Sequence, residues 1–385
     1  MSISRPFWEK KITQAWSKSP IAWLAGVRRS GKTTLVESIP HAKYFNCDLP
    51  STQELVSDPE KFYQSNKAKI YVFDEIHQLP EASMLLKIGA DTQKNSRFLA
   101  TGSSTLVASK KFKDSLSGRK RNVHFVPVLI QELKAFDVSL EKRLLHGGLP
   151  PALLSQNFDG EFYGEWLDSF YARDVQEIFA VDKRQPFLKA LEYLISSNGN
   201  IFEVTKLGQV SGITRPTVVK YLDILEATKA ISVIRPFSQN SEQEIVSQPK
   251  VYSFDTGFYC YTHNIRDLRT EDCGLLLENL TLENLQAQGY GNDVRYWRTK
   301  SKIEIDFVLP AGRNSVHVIE CKWKEKHFDD SAINVFRRRY PSGKNWIVTS
   351  DSKTREIDEG GMKLKFINIY DLPAELSRIT KSGGG

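Results

Sequence analysis

Cysteine is scarce in this 385-residue chain: Cys47, Cys260, Cys273 and Cys321 lie far apart and form no C-x-x-C pair. That spacing argues against a zinc site or a disulfide framework and suits a reducing, cytoplasmic setting. Long apolar runs are missing too. The longest are strand-sized, such as Val123 to Ile130 with His124 and Pro127 inside it, too short to span a bilayer, so no membrane partner is expected. The first 19 residues place Arg5, Glu9, Lys10 and Lys11 around Trp8 and Trp16, without the apolar core or cleavage site of a signal peptide. No internal repeat is visible. Charge of one sign is in mild excess, 53 Lys and Arg against 46 Asp and Glu, which by itself identifies no polyanionic partner.

What is present suits a folded, multidomain chain. Residues are 40% hydrophobic, 11% aromatic and 26% charged, and at roughly 150 residues per domain the length allows two to three. The basic residues cluster: Lys110, Lys111, Lys113, Arg119, Lys120 and Arg121 face one acid, Asp114, and a second run holds Lys322, Lys324, Lys326 and Arg337 to Arg339. Such runs are more often solvated faces than sites. Short apolar runs at 21–25, 43–45, 70–73, 98–101 and 123–128 alternate with polar periodic stretches, the pattern of βα units around a buried parallel sheet. The expected fold class is α/β, divided as a core over 1–128, a helical lid over 129–187, a helix-turn-helix with a wing over 188–247, an α/β domain over 248–378 and a flexible tail over 379–385.

The strongest signal follows the first apolar run. Gly26-Val27-Arg28-Arg29-Ser30-Gly31-Lys32-Thr33-Thr34 fits G-x-x-x-x-G-K-[ST] between a strand and a helix. Its glycines let successive N–H groups turn inward onto a polyphosphate, and the following helix adds its positive end. Lys32 then reaches the terminal phosphates and the Thr33 hydroxyl ligates Mg²⁺, so ATP and Mg²⁺ are the expected cofactors. Downstream, Ile70-Tyr71-Val72-Phe73-Asp74-Glu75 is a buried strand ending in two acids. Asp74 would hold Mg²⁺ directly or through water, and Glu75 would orient the attacking water. The run 98–101 ends in Gly102-Ser103-Ser104, where either serine can hydrogen-bond the γ-phosphate or the water.

Two further patterns lie C-terminal to this. Residues 203–225 read as a helix-turn-helix, with Gly212 at the turn, Thr214 as N-cap and Pro216 in the first turn. Thr214, Arg215, Thr217, Lys220 and Tyr221 face outward as candidate contacts to phosphates, and Ile231–Ile234 with Arg235 suits a wing. The second pattern is Asp306 followed, after thirteen intervening residues, by Glu320-Cys321-Lys322. Alternation puts Glu320 and Lys322 on one strand face, so Asp306, Glu320 and the helical Glu278 are candidate ligands of a second Mg²⁺ with Lys322 beside it. Glu304 is the rival acid.

The segments GVRRSGKTTL, YVFDEIHQLP, LATGSST, SLSGR, GGLP and YARDV resemble a widespread group of prokaryotic P-loop ATPases with an AAA+ core, a winged helix and a PD-(D/E)xK nuclease-like C-terminal domain. The resemblance implies a catalytic set of Lys32, Asp74, Glu75 and a sensor hydroxyl at Ser103. It further implies a homo-oligomer, a hexameric ring among the options, in which an arginine crosses to the neighbouring site. Arg119 is the first candidate for that arginine and Arg173 the second. The expected activity is an ATP-driven motor on duplex or branched DNA. Two alternatives stand beside it: a nucleotide switch whose C-terminal domains dock proteins, and an ATP-gated, Mg²⁺-dependent nuclease.

Overall fold

A computed structural model describes residues 3–102, 116–238, 248–312 and 315–382. The first sheet is built from β1 (Ile21–Ala25), β2 (Ala42–Asn46), β3 (Ile70–Asp74), β4 (Arg97–Gly102) and β5 (Lys120–His124), all parallel, in the order β2-β3-β4-β1-β5. β1 is central and every residue of it is buried, which is why it reads as a continuous apolar run. Parallel strands share one C-terminal edge, and the register brings the ends of β1 and β4 level, Ala25 with Gly102. The glycine-rich loop, the Asp74-Glu75 pair and Thr101 therefore meet on that edge.

The last core strand begins earlier than the apolar run 123–128 suggests. Lys120 already pairs with Ile21, and Val126 and Val128 are buried in the connection beyond the strand. β5 is an edge strand, so its polar first half, Lys120-Arg121-Asn122, costs little and hides the strand from an apolar pattern.

The middle region is helical: Gly160–Phe170 and Arg184–Ser196 pack around Trp166, Phe170, Phe187 and Phe258, and Leu140–His146 buries Leu140 and Leu144 in a second core with Leu276 and Leu280. Helices Val204–Ser211 and Arg215–Ala227 turn through Gly212, whose φ of 65° is left-handed. They lead into an antiparallel hairpin of β6 (Ile231–Ile234) and β7 (Lys250–Ser253), so the pairing carries this unit past the boundary expected at 247/248. Tyr221 departs from its expected outward position: it is 3% exposed and its ring meets Phe187 edge-on at 5.0 Å. Thr214 precedes the second helix without a capping bond to its backbone; its hydroxyl lies 3.1 Å from that of Thr217.

The C-terminal sheet is mixed: β8 (Arg295–Arg298), β9 (Glu304–Pro310), β10 (Val316–Lys322), β11 (Asn345–Thr349), β12 (Arg355–Glu359) and β13 (Met362–Asn368), ordered β12-β13-β11-β10-β9-β8. The helix Thr270–Gln288 packs against it through Leu276, Leu277 and Leu280. A buried polar knot ties this helix to the middle region. Arg143 pairs with Glu283, and donates to the carbonyl of Val128 at 2.6 Å and to Thr256 Oγ1 at 3.1 Å. Gly147, left-handed at φ 68°, stands so close to Asp255 that a Cβ would lie 1.8 Å from its Oδ1. The Gly-Gly-Leu-Pro segment thus leaves room for a carboxylate rather than merely ending a helix. Among the described residues no helix is long and apolar enough to cross a membrane.

Candidate functional site

The glycine-rich loop continues β1 and enters the helix Lys32–Glu37 through Gly31, whose φ of 93° suits glycine. It is braced from behind. Arg5 forms a two-pronged, buried ion pair with Glu132 (2.7 and 2.8 Å) and donates to the Ser30 carbonyl at 3.0 Å. Trp166 Nε1 donates to the Arg28 carbonyl at 3.2 Å. The Ser30 hydroxyl turns back onto the Val27 carbonyl (2.8 Å), so this expected ligand-binding side chain supports the loop. Gly26, Arg28, Arg29, Gly31, Lys32, Thr33 and Thr34 line a cleft of about 510 Å³.

Lys32 Nζ donates to the carbonyls of Gly26 and Val27, at 3.0 Å each. Burial lowers its pKa, opposed by Glu75, Asp174 and Asp74. Glu75 follows β3 with a left-handed φ of 51°, a conformation that costs a non-glycine residue of the order of 1 kcal/mol and collects at functional sites. The turn directs its carboxylate into the cleft, 3.1 Å from His77 Nδ1. Burial pushes the Glu75 pKa up, but the His77 hydrogen bond and the Lys32, His77 and Arg28 charges outweigh it and hold the carboxyl below its ordinary value. Asp74 is 2% exposed, behind the cleft wall. It accepts from Tyr44 at 2.9 Å and from the Thr101 hydroxyl, and Thr101 Oγ1 in turn accepts from the Glu75 N–H at 2.9 Å.

Thr101 and His77 lie inside the quoted segments without a role assigned to them, and Tyr44 lies outside them; strand register brings Tyr44 and Thr101 to Asp74, while His77 reaches Glu75 from two residues on. Ser103, the expected sensor hydroxyl, lies outside the described residues, as do Lys110, Lys111 and Lys113. Thr101 is the hydroxyl that joins the two acids. The donor set fits Mg²⁺: the Thr33 hydroxyl opens on the cleft, and the carboxylates are hard oxygen donors. Asp74, both of its oxygens already hydrogen-bonded, suits contact through water.

The two candidate arginines part company. Arg173 lines this same cleft with Asp174, on a π-helical turn, Tyr171–Gln176, a feature common at functional sites. Asp174 accepts from Arg28 at 3.1 Å. Arg119 sits just before β5, at the opposite edge of the sheet, bonded to Asp91 at 2.8 and 3.2 Å. Ile3, Phe136, Pro150, Pro151 and Leu154 form an apolar flank of the cleft.

The C-terminal acids form a second cluster of a different kind. Asp306 and Glu320 stand one step beyond the paired residues Phe307 and Ile319, and Asp306 Oδ2 accepts from the Cys321 N–H at 2.8 Å. Lys322 Nζ donates to Glu320 at 2.9 Å, while Glu320 Oε1 is buried without a partner. Glu278 accepts from Tyr252 and from Lys250 at 3.4 Å, and Glu304 pairs with Lys250 and with Arg298 (2.6 Å). Lys250 is 2% exposed and arrives from β7. Burial and the nearby Asp306 raise Glu278 to about 7 and Glu320 to about 8. Among the described residues no three His, Cys, Asp or Glu side chains converge as a metal-holding group. The expected ligand set of Glu278, Asp306 and Glu320 therefore fits a divalent cation poorly: Glu278 is engaged by Lys250 and Glu320 by Lys322, both lysines of the chain itself. The candidate DNA contacts Thr214, Arg215 and Lys220 are exposed on the second helix of the turn and Thr217 is half-buried.

Residues 18–134 match a family model described as an AAA domain, and 137–269 and 273–371 match two domains of unknown function, DUF8612 and DUF4143. An uncharacterized protein of Mycobacterium tuberculosis is 26% identical over 327 residues, 81% of this chain and 73% of that protein. One of Methanocaldococcus jannaschii is 24% identical over 77% of this chain and 73% of its own length. Two solved structures, Cdc6p from Pyrobaculum aerophilum and the ORC1 protein of Aeropyrum pernix in complex with DNA, cover 69% and 66% of this chain and 95% and 91% of their own. Their identities are 11% and 12% and their TM-scores 0.29 and 0.25, too loose to align site residues. The chain carries an N-terminal AAA domain, a P-loop nucleotide-binding unit, followed by a helical and a mixed-sheet domain of families without an assigned function.

Proposed function

We propose that the chain is an ATP-hydrolysing AAA+ motor that remodels or moves along duplex or branched DNA as a homo-oligomer. The observation that carries this reading is the cleft, where a lysine of the phosphate-binding loop and a glutamate held ionised face one cavity. Lys32, already pointing at the loop carbonyls, exchanges them for phosphate oxygens when a triphosphate enters. Glu75 accepts a hydrogen bond from a water and aims its oxygen at the γ-phosphorus. The new P–O bond forms as the bond to ADP breaks, and the proton leaves toward the carboxylate. Thr33, and Asp74 through water, would hold Mg²⁺, which would supply neutralisation of the phosphate charge. Arg28 from the loop and Arg173 from the lid side add positive charge. Arg119, remote from its own cleft, is our first candidate to serve a neighbour in a ring, with Arg173 the second.

The DNA part rests on the exposed Arg215 and Lys220 of a helix-turn-helix followed by a hairpin, the arrangement of a winged helix. The C-terminal acids lend a cleavage reading less support, because Lys250 already pairs with Glu278 and Glu304. Steady-state phosphate release with and without duplex and four-way-junction DNA tests the proposal. Turnover that rises with DNA and vanishes in Glu75→Gln supports it. Turnover indifferent to every DNA form, with no binding at low salt, removes the DNA part.

A further inference from the structure

A groove of about 800 Å³ opens where the helix Pro6–Trp16, β5, β6 and the end of the helix Thr270–Gln288 meet. Six cationic side chains line it, Lys11, Lys18, Arg121, Lys229, Arg235 and Arg295, against one carboxylate, Glu226. Glu226 lies 3.6 Å from Arg235. Among the described residues the other five have no carboxylate within ion-pair distance. Lys11 and Arg295 instead donate to backbone carbonyls, of Gln288 at 3.3 Å and of Asn292 and Val294 at 2.8 Å. His124, also on the wall, is pushed down to about 3 by burial and by the charge of Lys229, so at neutral pH it adds no charge of its own. The Arg215–Ala227 helix offers Arg215 and Lys220 at its exposed face, one third as many cations.

We infer that this groove binds the phosphodiester backbone of a nucleic-acid strand. The inference rests on the nucleic-acid reading above and moves the main contact from the second helix of the turn to the junction of the three domains. Cations of one sign in a concavity with low-dielectric walls focus their field, and each phosphate they meet releases a condensed counterion. The six come from separate stretches of the chain, Lys11 in and Lys18 just beyond the helix Pro6–Trp16, Arg121 on β5, Lys229 and Arg235 on either side of β6, and Arg295 on β8, and a polymer with a repeating anion can meet cations supplied from several segments at once. The groove also touches the nucleotide site. Ala25 lines the groove, Gly26 lines the cleft, and Arg121 pairs with Ala22 of the same β1 strand, so a strand lying here rests against the root of the phosphate-binding loop.

Fluorescence anisotropy of the full chain with labelled duplex and single-stranded oligonucleotides, over a series of salt concentrations, tests the inference. Neutralising three cations, R121Q/K229Q/R235Q, is expected to weaken binding at least tenfold and to flatten the log Kd against log salt slope by about two to three. Basal ATP turnover should stay unchanged. The exposed single change R121E, which removes no partner seen here, should act in the same direction should the triple variant fold poorly. A triple variant that binds as wild type with an unchanged slope overturns the inference, as does polyglutamate competing as well as DNA. Loss of binding in R215Q/K220Q alone overturns it too while leaving the functional reading standing. A wild-type chain that binds no nucleic acid at low salt removes both.

Discussion

Two groups of acids stand beside the two sheets of this molecule, and the chain treats them in opposite ways. At the end of β3, Glu75 faces a cavity, and neighbouring cations hold its carboxyl below the ordinary value. Around β9 and β10, Glu278 and Glu320 are pushed up to about 7 and 8, because burial and the adjacent Asp306 outweigh the lysines already paired with them. In the first group the cations Lys32, Arg28 and Arg173 border open space, where a polyphosphate completes the balance of charge. In the second, Lys250, Arg298 and Lys322 supply much of the balance from inside the fold. An acid pair in a sequence points to chemistry only when its counter-charge is left to come from outside.

The sharpest way to break this comparison is by rate. Glu75→Gln should lower phosphate release by about 10²- to 10⁴-fold with ATP binding kept, whereas Asp306→Asn should leave turnover at the wild-type level. A parallel fall in both would merge the two groups. By stability the order reverses. Lys250→Ala leaves Glu278 and Glu304 without their buried partner and should cost about 3–5 kcal/mol in urea unfolding. Lys32→Ala, which loses bonds to two carbonyls, should cost about 1 kcal/mol or less. A smaller effect at Thr101 sharpens the first half. Thr101→Val breaks the link between Asp74 and Glu75 and should slow turnover by roughly tenfold, more than Ser103→Ala does.

The smallest effect concerns pH. The Glu75 carboxyl is depressed in the folded state, so it stays ionised below its ordinary value and is protonated only as pH falls through the lower, folded one. His77→Ala removes one of the groups that depress it. The acid limb of the ATPase profile should then move up by roughly half to one pH unit, with turnover near pH 8 unchanged.

The parts of the fold legible in the sequence are those written in short, local segments. β1 with its glycine-rich loop and β3 with Asp74-Glu75 are such segments, since a fully buried strand is a continuous apolar run and the loop chemistry follows within ten residues. What stayed hidden depends on partners far away in the chain. Thr101 matters because parallel register sets β4 beside β3, while its own neighbours draw attention to Ser103. Lys250 reads as an ordinary lysine between Pro249 and Val251, and its meaning comes from Glu278 and Glu304, 28 and 54 positions on. β5 hides its start because an edge strand tolerates Lys-Arg-Asn. Tyr221 has a polar tip that suggests solvent, but it lies one turn from Val218 and its ring finds Phe187.

Calorimetric titration of ATP with Mg²⁺ into the wild-type chain, Glu75→Gln and Lys32→Ala tests the central claim most directly. One site per chain is expected in the first two and none in the third. Heat that is absent from a folded wild-type sample, or undiminished in Lys32→Ala, would contradict it.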